Sequence, residues 1–163
     1  MVTAADVLWM AETIYLYLPA YLANAAPVLC GGGSPLDGGR TWRDGKPLLG
    51  SHKTVRGTLS GIAVGTAVGL IQLAPLRGLL LAVGAIGGDL IVSFFKRRLG
   101  MEPGAPSPVA DQLGFIVVAV ALVSVVPPPP TWERVVAILV VTVPIHFITN
   151  LFAWLLKLKK HPW

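Results

Sequence analysis

Five long apolar runs, at 4–29, 54–73, 76–95, 109–126 and 135–156, dominate this 163-residue chain. A helix needs ~17–25 residues to cross the hydrocarbon core of a bilayer. The first run is long enough to tilt, and the fourth sits at the short limit. Charged residues make up only 13% of the chain and the hydrophobic set 54%, whereas soluble domains carry roughly 25% charge. So few charges cannot cover the surface of a soluble domain of this size. Intrinsic disorder is excluded as well, because it requires low hydrophobicity and high net charge. A transmembrane barrel would need alternating strands of ~10 residues, and the run 115–126 does not alternate. The expectation is an all-α integral membrane protein with five transmembrane helices, forming a single transmembrane domain over 1–163.

Two long polar stretches, at about 31–53 and 96–110, separate the runs, and both are rich in Gly and Pro. The other connections are short: Ala74-Pro75, and 127–131 with four consecutive prolines. If the two long loops and the C-terminus share one side, that side holds Arg40, Arg43, Lys46, Lys53, Arg56, Lys96, Arg97, Arg98, Lys157, Lys159 and Lys160. The opposite side keeps Arg77 and Arg134, with acidic Asp6 and Glu12 on or near it. Basic residues concentrate in cytoplasmic loops, so the loops are read as cytoplasmic, the N-terminus as outside and the C-terminus as cytoplasmic. The net charge of +5 then reflects topology and anionic ligands rather than nucleic acid. One cysteine, Cys30, precludes an intrachain disulfide. The start Met-Val-Thr-Ala-Ala-Asp lacks a basic segment, so no signal peptide is expected.

Gly57, Gly61, Gly65 and Gly69 recur every four residues and share one helix face, which lets another backbone approach closely. Gly84 and Gly88 could supply the facing groove. Asp89, Ser93 and Lys96 follow at i, i+4 and i+7, again on one face. An aspartate within an apolar span costs roughly 2.5–3.5 kcal/mol on insertion scales, and so marks either a site or a salt bridge to Lys96 or Arg97. Asp111 opens the fourth run after a Pro/Gly loop, where a carboxylate often serves as a cap. Two carboxylates beside many cations, at one membrane face, suggest a magnesium-bound polyphosphate site. The segment 45–57 adds Lys53 and Arg56, with Thr54 or Ser51 as a cap for a helix whose first amides attract anions. It lacks the Walker A pattern. Pro19, Asn24 and Pro27 are expected to interrupt the first helix beside a polar cavity. His146 and Asn150, one turn apart, are read as hydrogen-bonding between helices. The three histidines and one cysteine have no zinc-ligand spacing.

The run Ser51-His52-Lys53-Thr54-Val55-Arg56-Gly57 resembles the Ser-Pro-x-Lys-Thr-x-Glu-Gly element of membrane CTP:phosphatidate cytidylyltransferases. Ser93-Phe94-Phe95-Lys96-Arg97 is similar to the start of their signature, and Asp111-Gln112 to its Asp-Arg end. The closer resemblance is to the archaeal branch, the CDP-archaeol synthases. It rests on the short five-helix chain, on His52-Lys53-Thr54-x-Arg56-Gly57, and on the run from Lys96-Arg97-Arg98 to Asp111-Gln112-Leu113. The chain departs from the bacterial signature in three ways: Gly114 stands where its second acid would fall, Arg56 replaces a glutamate, and the Lys-Asp and His-Gly-Gly elements are missing.

The resemblance implies a reaction of CTP with an isoprenoid glycerol ether phosphate lipid, giving a CDP-activated lipid and pyrophosphate, with Mg2+. It implies Asp89 and Asp111 as metal ligands, with Lys96 beside them in the catalytic group. Lys53, Thr54, Arg56, Lys96, Arg97 and Arg98 are the expected nucleotide or phosphate contacts, and Asn24, Asp37 and Ser93 lend polar support or touch cytosine. The expected surroundings are the cell membrane, with the active site on the cytoplasmic face and no nucleic acid; a homo-oligomer stays open. Two rivals are a small transporter, which should carry an inverted repeat, and a structural membrane protein whose basic loops bind anionic lipid.

Overall fold

The computed structural model describes residues 3–158. Among them are five α-helices: α1 (Ala4–Cys30), α2 (Val55–Ile71), α3 (Pro75–Arg98), α4 (Pro108–Val123) and α5 (Trp132–Leu155). Two isolated β-bridges, Pro35 to Thr54 and Thr41 to Pro47, fold the first long loop. Lys159 and Lys160, counted above on the basic side, lie outside the described residues. α1, α3 and α5 are long and apolar enough to cross a membrane. α2 and α4 have 17 and 16 residues, or about 24–26 Å of helix at 1.5 Å per residue.

Each helix runs antiparallel to the one before it. On α2 all four ridge glycines are buried. A Cβ at Gly61 would meet the Ala23 carbonyl of α1 at 2.7 Å, and one at Gly65 would meet Ala82 Cβ of α3 at 2.6 Å. α2 is therefore wedged between α1 and α3 at a spacing that no larger side chain permits.

The groove that receives this ridge differs from the one expected. It consists of Gly78, Ala82 and Ile86, whereas Gly84 and Gly88 lie against Ala119, Gly114 and Phe115 of α4. Gly84 is six residues from Gly78, about 240° around the helix, so α3 has two separate close-packing faces. The result is a continuous α1–α2–α3–α4 stack, with Phe115, Ile116 and Ile138 fully buried in its core. α5 is less engaged, with Ile138 and Thr142 as its buried residues.

α1 is also continuous, contrary to the interruption expected from its prolines. Pro19 has no N–H to give the carbonyl of Tyr15, but Gln72 Nε2 donates to that oxygen at 2.5 Å. Pro27 leaves the Ala23 carbonyl free in the same way, and that oxygen lies against Gly61. Neighbouring helices thus accommodate the groups that proline releases.

Candidate active site

The alternation of directions brings the end of α1, the start of α2, the end of α3 and the start of α4 to one end of the bundle. Thr54 caps α2, its Oγ1 accepting from Gly57 N at 3.1 Å. The strand-like pairing before it, with Leu36 N donating to Lys53 O at 2.7 Å and Val55 N to Ser34 O at 3.1 Å, fixes the backbone of Lys53. From there Lys53 Nζ reaches Asp89 Oδ2 on α3 at 2.6 Å. Asp89 lies nine residues back from Arg98, the end of α3, or about 13–14 Å along the axis. The lysine thus brings a positive charge down to a carboxylate set well inside the helix.

A second pair lies nearer the end. Lys96 Nζ donates to both oxygens of Asp111, at 2.9 and 2.8 Å. Asp111 Oδ2 also accepts from Ser107 N at 2.8 Å, so the carboxylate both ties the backbone at the start of α4 and partners a buried lysine. The bridge from Asp89 to Lys96 or Arg97, the alternative to a site role, does not form; two bridges between elements stand instead, Lys53–Asp89 and Lys96–Asp111. Gly88 packing on Gly114 brings α3 and α4 close enough for the second.

Beside them, Arg97 is 4% exposed. Its Nη2 donates to Glu102 O at 2.9 Å, while its buried Nε has no partner. A buried guanidinium with an unmatched donor is costly in isolation, and an incoming phosphate oxygen is a natural acceptor for it. Gly50, at φ +99, passes close to this guanidinium: a Cβ there would lie 3.1 Å from Arg97 Nη1 and 3.3 Å from Pro103 Cγ. The two long loops meet at that point and again where His52 covers Gly104.

Other expected site residues do different work in this structure. Asp37 organises the first loop, accepting from Gly39 N at 2.9 Å, Leu49 N at 2.8 Å and Gly50 N at 3.3 Å. Burial pushes its carboxyl upward, but these backbone amides outweigh that and hold its pKa below the ordinary value. Arg98 turns away from Asp89 to pair with Asp44 at 2.8 Å, and it also donates to the carbonyls of Lys46 and Pro47. Lys46 Nζ returns a bond to Arg98 O at 2.8 Å. Ser93 Oγ donates to Asp89 O at 2.8 Å within its own helix. Arg56 lies at the rim of an outward groove on α2. Asn24 is half-buried on α1 and is not joined to the two lysine–carboxylate pairs. In α5, Asn150 Nδ2 and His146 Nδ1 are 3.0 Å apart along the same helix, and the His146 ring lies 5.9 Å from that of Phe115.

The sequence reading missed the clamp that Asp44 and Lys46 place on the end of α3. Asp44-Gly45, between Trp42 and Leu48, was the available signal, since Asp-Gly favours a tight reversal. Trp42 N donates to Lys46 O and Leu48 N to Arg40 O, while the Trp42 ring meets Phe94 edge-on at 5.4 Å.

The family model described as CarS-like, CDP-archaeol synthase, matches residues 6–77 and 73–163. The CDP-archaeol synthase of Pyrococcus furiosus is 47% identical, over 93% of this chain and 97% of its own length. That of Pyrococcus abyssi is 45% identical over the same shares. The chain belongs to the CDP-archaeol synthase family. A solved structure of an intramembrane enzyme for archaeal membrane lipids biosynthesis superposes with a TM-score of 0.81 at 38% identity, covering 86% of this chain and 94% of that one. Family members are membrane-embedded helical enzymes.

Proposed function

We infer that this chain is a CTP-dependent cytidylyltransferase that makes a CDP-activated isoprenoid glycerol ether lipid of the CDP-archaeol type and releases pyrophosphate. The observation that carries the reading is the gathering of Lys53–Asp89 and Lys96–Asp111 at the end of the bundle that also holds Arg97, whose buried Nε has no partner. A nucleoside triphosphate brings several negative charges, and these three cations, at one end of the bundle, can receive them once they release their present partners. A lipid phosphate oxygen attacks the α-phosphorus of CTP. A new P–O bond forms, the bond to the β-phosphate bridging oxygen breaks, and pyrophosphate leaves with that electron pair. The lipid phosphate is a monoester with a second pKa of about 6, largely ionised at neutral pH, so no general base is required. Lys53, Lys96 and Arg97 orient the triphosphate and offset charge, as is general in phosphoryl transfer.

The donor set fits Mg2+. Asp89 and Asp111 offer hard carboxylate oxygens, and Mg2+ is commonly held by one or two carboxylates plus substrate phosphates rather than by an all-protein cage. Among the described residues no group of three or more His, Cys, Asp or Glu gathers as such a cage, which favours an ion arriving with the nucleotide. When bound, Mg2+ supplies charge neutralisation on the phosphates. Lys53 and Lys96 keep the two carboxylates balanced until then.

All five helices are proposed to cross the membrane as one domain, with the N-terminus outside and the active site on the cytoplasmic face of the cell membrane. The distribution of Lys and Arg supports this orientation. The decisive assay is detergent-solubilised protein with CTP, Mg2+ and an isoprenoid glycerol ether phosphate, scored for CDP-lipid and pyrophosphate together. Formation of neither product removes the cytidylyltransferase reading.

A further inference from the structure

The outward face of α2 carries a groove of about 630 Å3, lined by Ser34, Val55, Arg56, Leu59, Ser60 and Ala63. α2 packs on α1 and α3 among the described helices and on neither α4 nor α5, so this face looks away from the bundle. Leu59 is 63% exposed. The groove is apolar along the helix and polar at its rim, where Arg56 and Ser34 stand at the loop-bearing end. Ser60 turns its hydroxyl inward to donate to Gly57 O at 2.9 Å, which leaves the wall beside Leu59 and Ala63 apolar. Arg56 makes no ion pair among the described residues. Lys53, three residues earlier, is committed to Asp89.

We propose that this groove docks the lipid phosphate substrate, with its phosphate at Arg56 and the start of one ether-linked chain along Leu59 and Ala63. The proposal rests on the cytidylyltransferase reading above and assigns the two substrates to opposite sides of the α2 start. The occupant follows from charge and polarity. An anionic head above an apolar chain matches a cation above an apolar furrow, whereas a free phosphate would gain nothing from Leu59 and Ala63. Guanidinium binds a phosphate through paired donors, and the aliphatic chain removes exposed apolar surface from contact with the membrane interface. The segment from Lys53 to Arg56 then serves both reactants: Lys53 faces the α3 carboxylate and Arg56 faces the lipid.

The test is steady-state kinetics in mixed micelles, varying CTP and lipid phosphate separately. Wild-type product formation first establishes the parent reaction; if it is absent, that reading fails, independently of the groove. Arg56→Ala is expected to raise KM for the lipid phosphate about ten- to a hundredfold, the scale of one charge-assisted bond, while KM for CTP moves less than threefold. Arg56→Lys is expected to recover most of that loss. Ala63→Trp fills the furrow and is expected to raise KM for the two-chain lipid several times more than KM for an analogue with truncated chains. An unchanged lipid KM in Arg56→Ala, or equal effects of Ala63→Trp on both lipids, identifies the groove as a seat for bulk membrane lipid and overturns the proposal. A loss confined to the KM for CTP moves Arg56 to the nucleotide side and overturns it equally.

Discussion

Lys53 Nζ and Asp89 Oδ2 stand 2.6 Å apart, although 36 residues separate them in the chain. The pair joins the start of α2 to the interior of α3, and its carboxylate is a proposed ligand of the metal–triphosphate complex. Breaking either half leaves an uncompensated charge in a partly buried place, which is destabilising. Asp89→Asn and Lys53→Met should each lower CDP-lipid formation at least about 10²-fold, the scale of lost charge stabilisation at the reacting phosphates. The double variant should regain thermal stability relative to either single variant without regaining turnover. Near-normal turnover in Asp89→Asn at saturating Mg2+ would return Asp89 to a purely structural role.

Asp111 has two duties, and substitutions should separate them. Asp111→Asn keeps an oxygen for Ser107 N, so the melting temperature in detergent should fall little while activity falls at least about 10²-fold. Asp111→Ala removes the bond to Ser107 N as well, adding about 1 kcal/mol of destabilisation. Equal activity loss with no difference in melting between the two variants would show that the Ser107 bond contributes nothing.

Helix spacing makes a sharper contrast. Gly88 faces Gly114 O and Phe115 Cα, while Gly87 has nothing within 4 Å of an added Cβ. Gly88→Leu should separate α3 from α4, lower the melting temperature strongly and uncouple Lys96 from Asp111. Gly87→Ala should be neutral or stabilising by up to about 1 kcal/mol, the helix-propensity gain. Scanning calorimetry or fluorescence melting of both variants checks the ranking.

Orientation is testable by cysteine accessibility in a Cys30→Ser background. Arg43, Pro106 and Pro129 are all exposed. With the long loops in the cytoplasm, Arg43→Cys and Pro106→Cys should be shielded from a membrane-impermeant thiol reagent in intact cells, and Pro129→Cys should react. Labelling of Arg43→Cys from outside would reverse the topology.

The first loop should respond to acid through Asp37. Its pKa in the folded protein lies below the ordinary 3.8, so the contribution of its carboxylate is fully present above that value. It is lost as pH falls below 3.8 through the folded pKa. Limited proteolysis of residues 38–50 should therefore accelerate at the acid end in the wild type. Asp37→Asn should be cut faster at neutral pH and show a flatter dependence. Identical profiles would remove Asp37 as the organiser of this loop.

Helix number, helix limits to within a few residues and the basic end of the bundle were all legible in the sequence, because apolar run length and charge segregation are local properties. The motif residues Lys53, Asp89, Lys96 and Asp111 were legible for the same reason. Their pairing was not. Asp89 was read as either a site carboxylate or the partner of a cation on its own helix, and only the stacking of α2, α3 and α4 decided that Lys53 comes to Asp89 and Lys96 to Asp111. The two small-residue faces of α3 could be counted in the sequence, but which neighbour each receives depends on rotation about the helix axis, and that is set by all the contacts together. The same holds for α1. Its prolines predict lost hydrogen bonds, and only the placement of Gln72 and Gly61 beside the freed carbonyls decided that the helix continues.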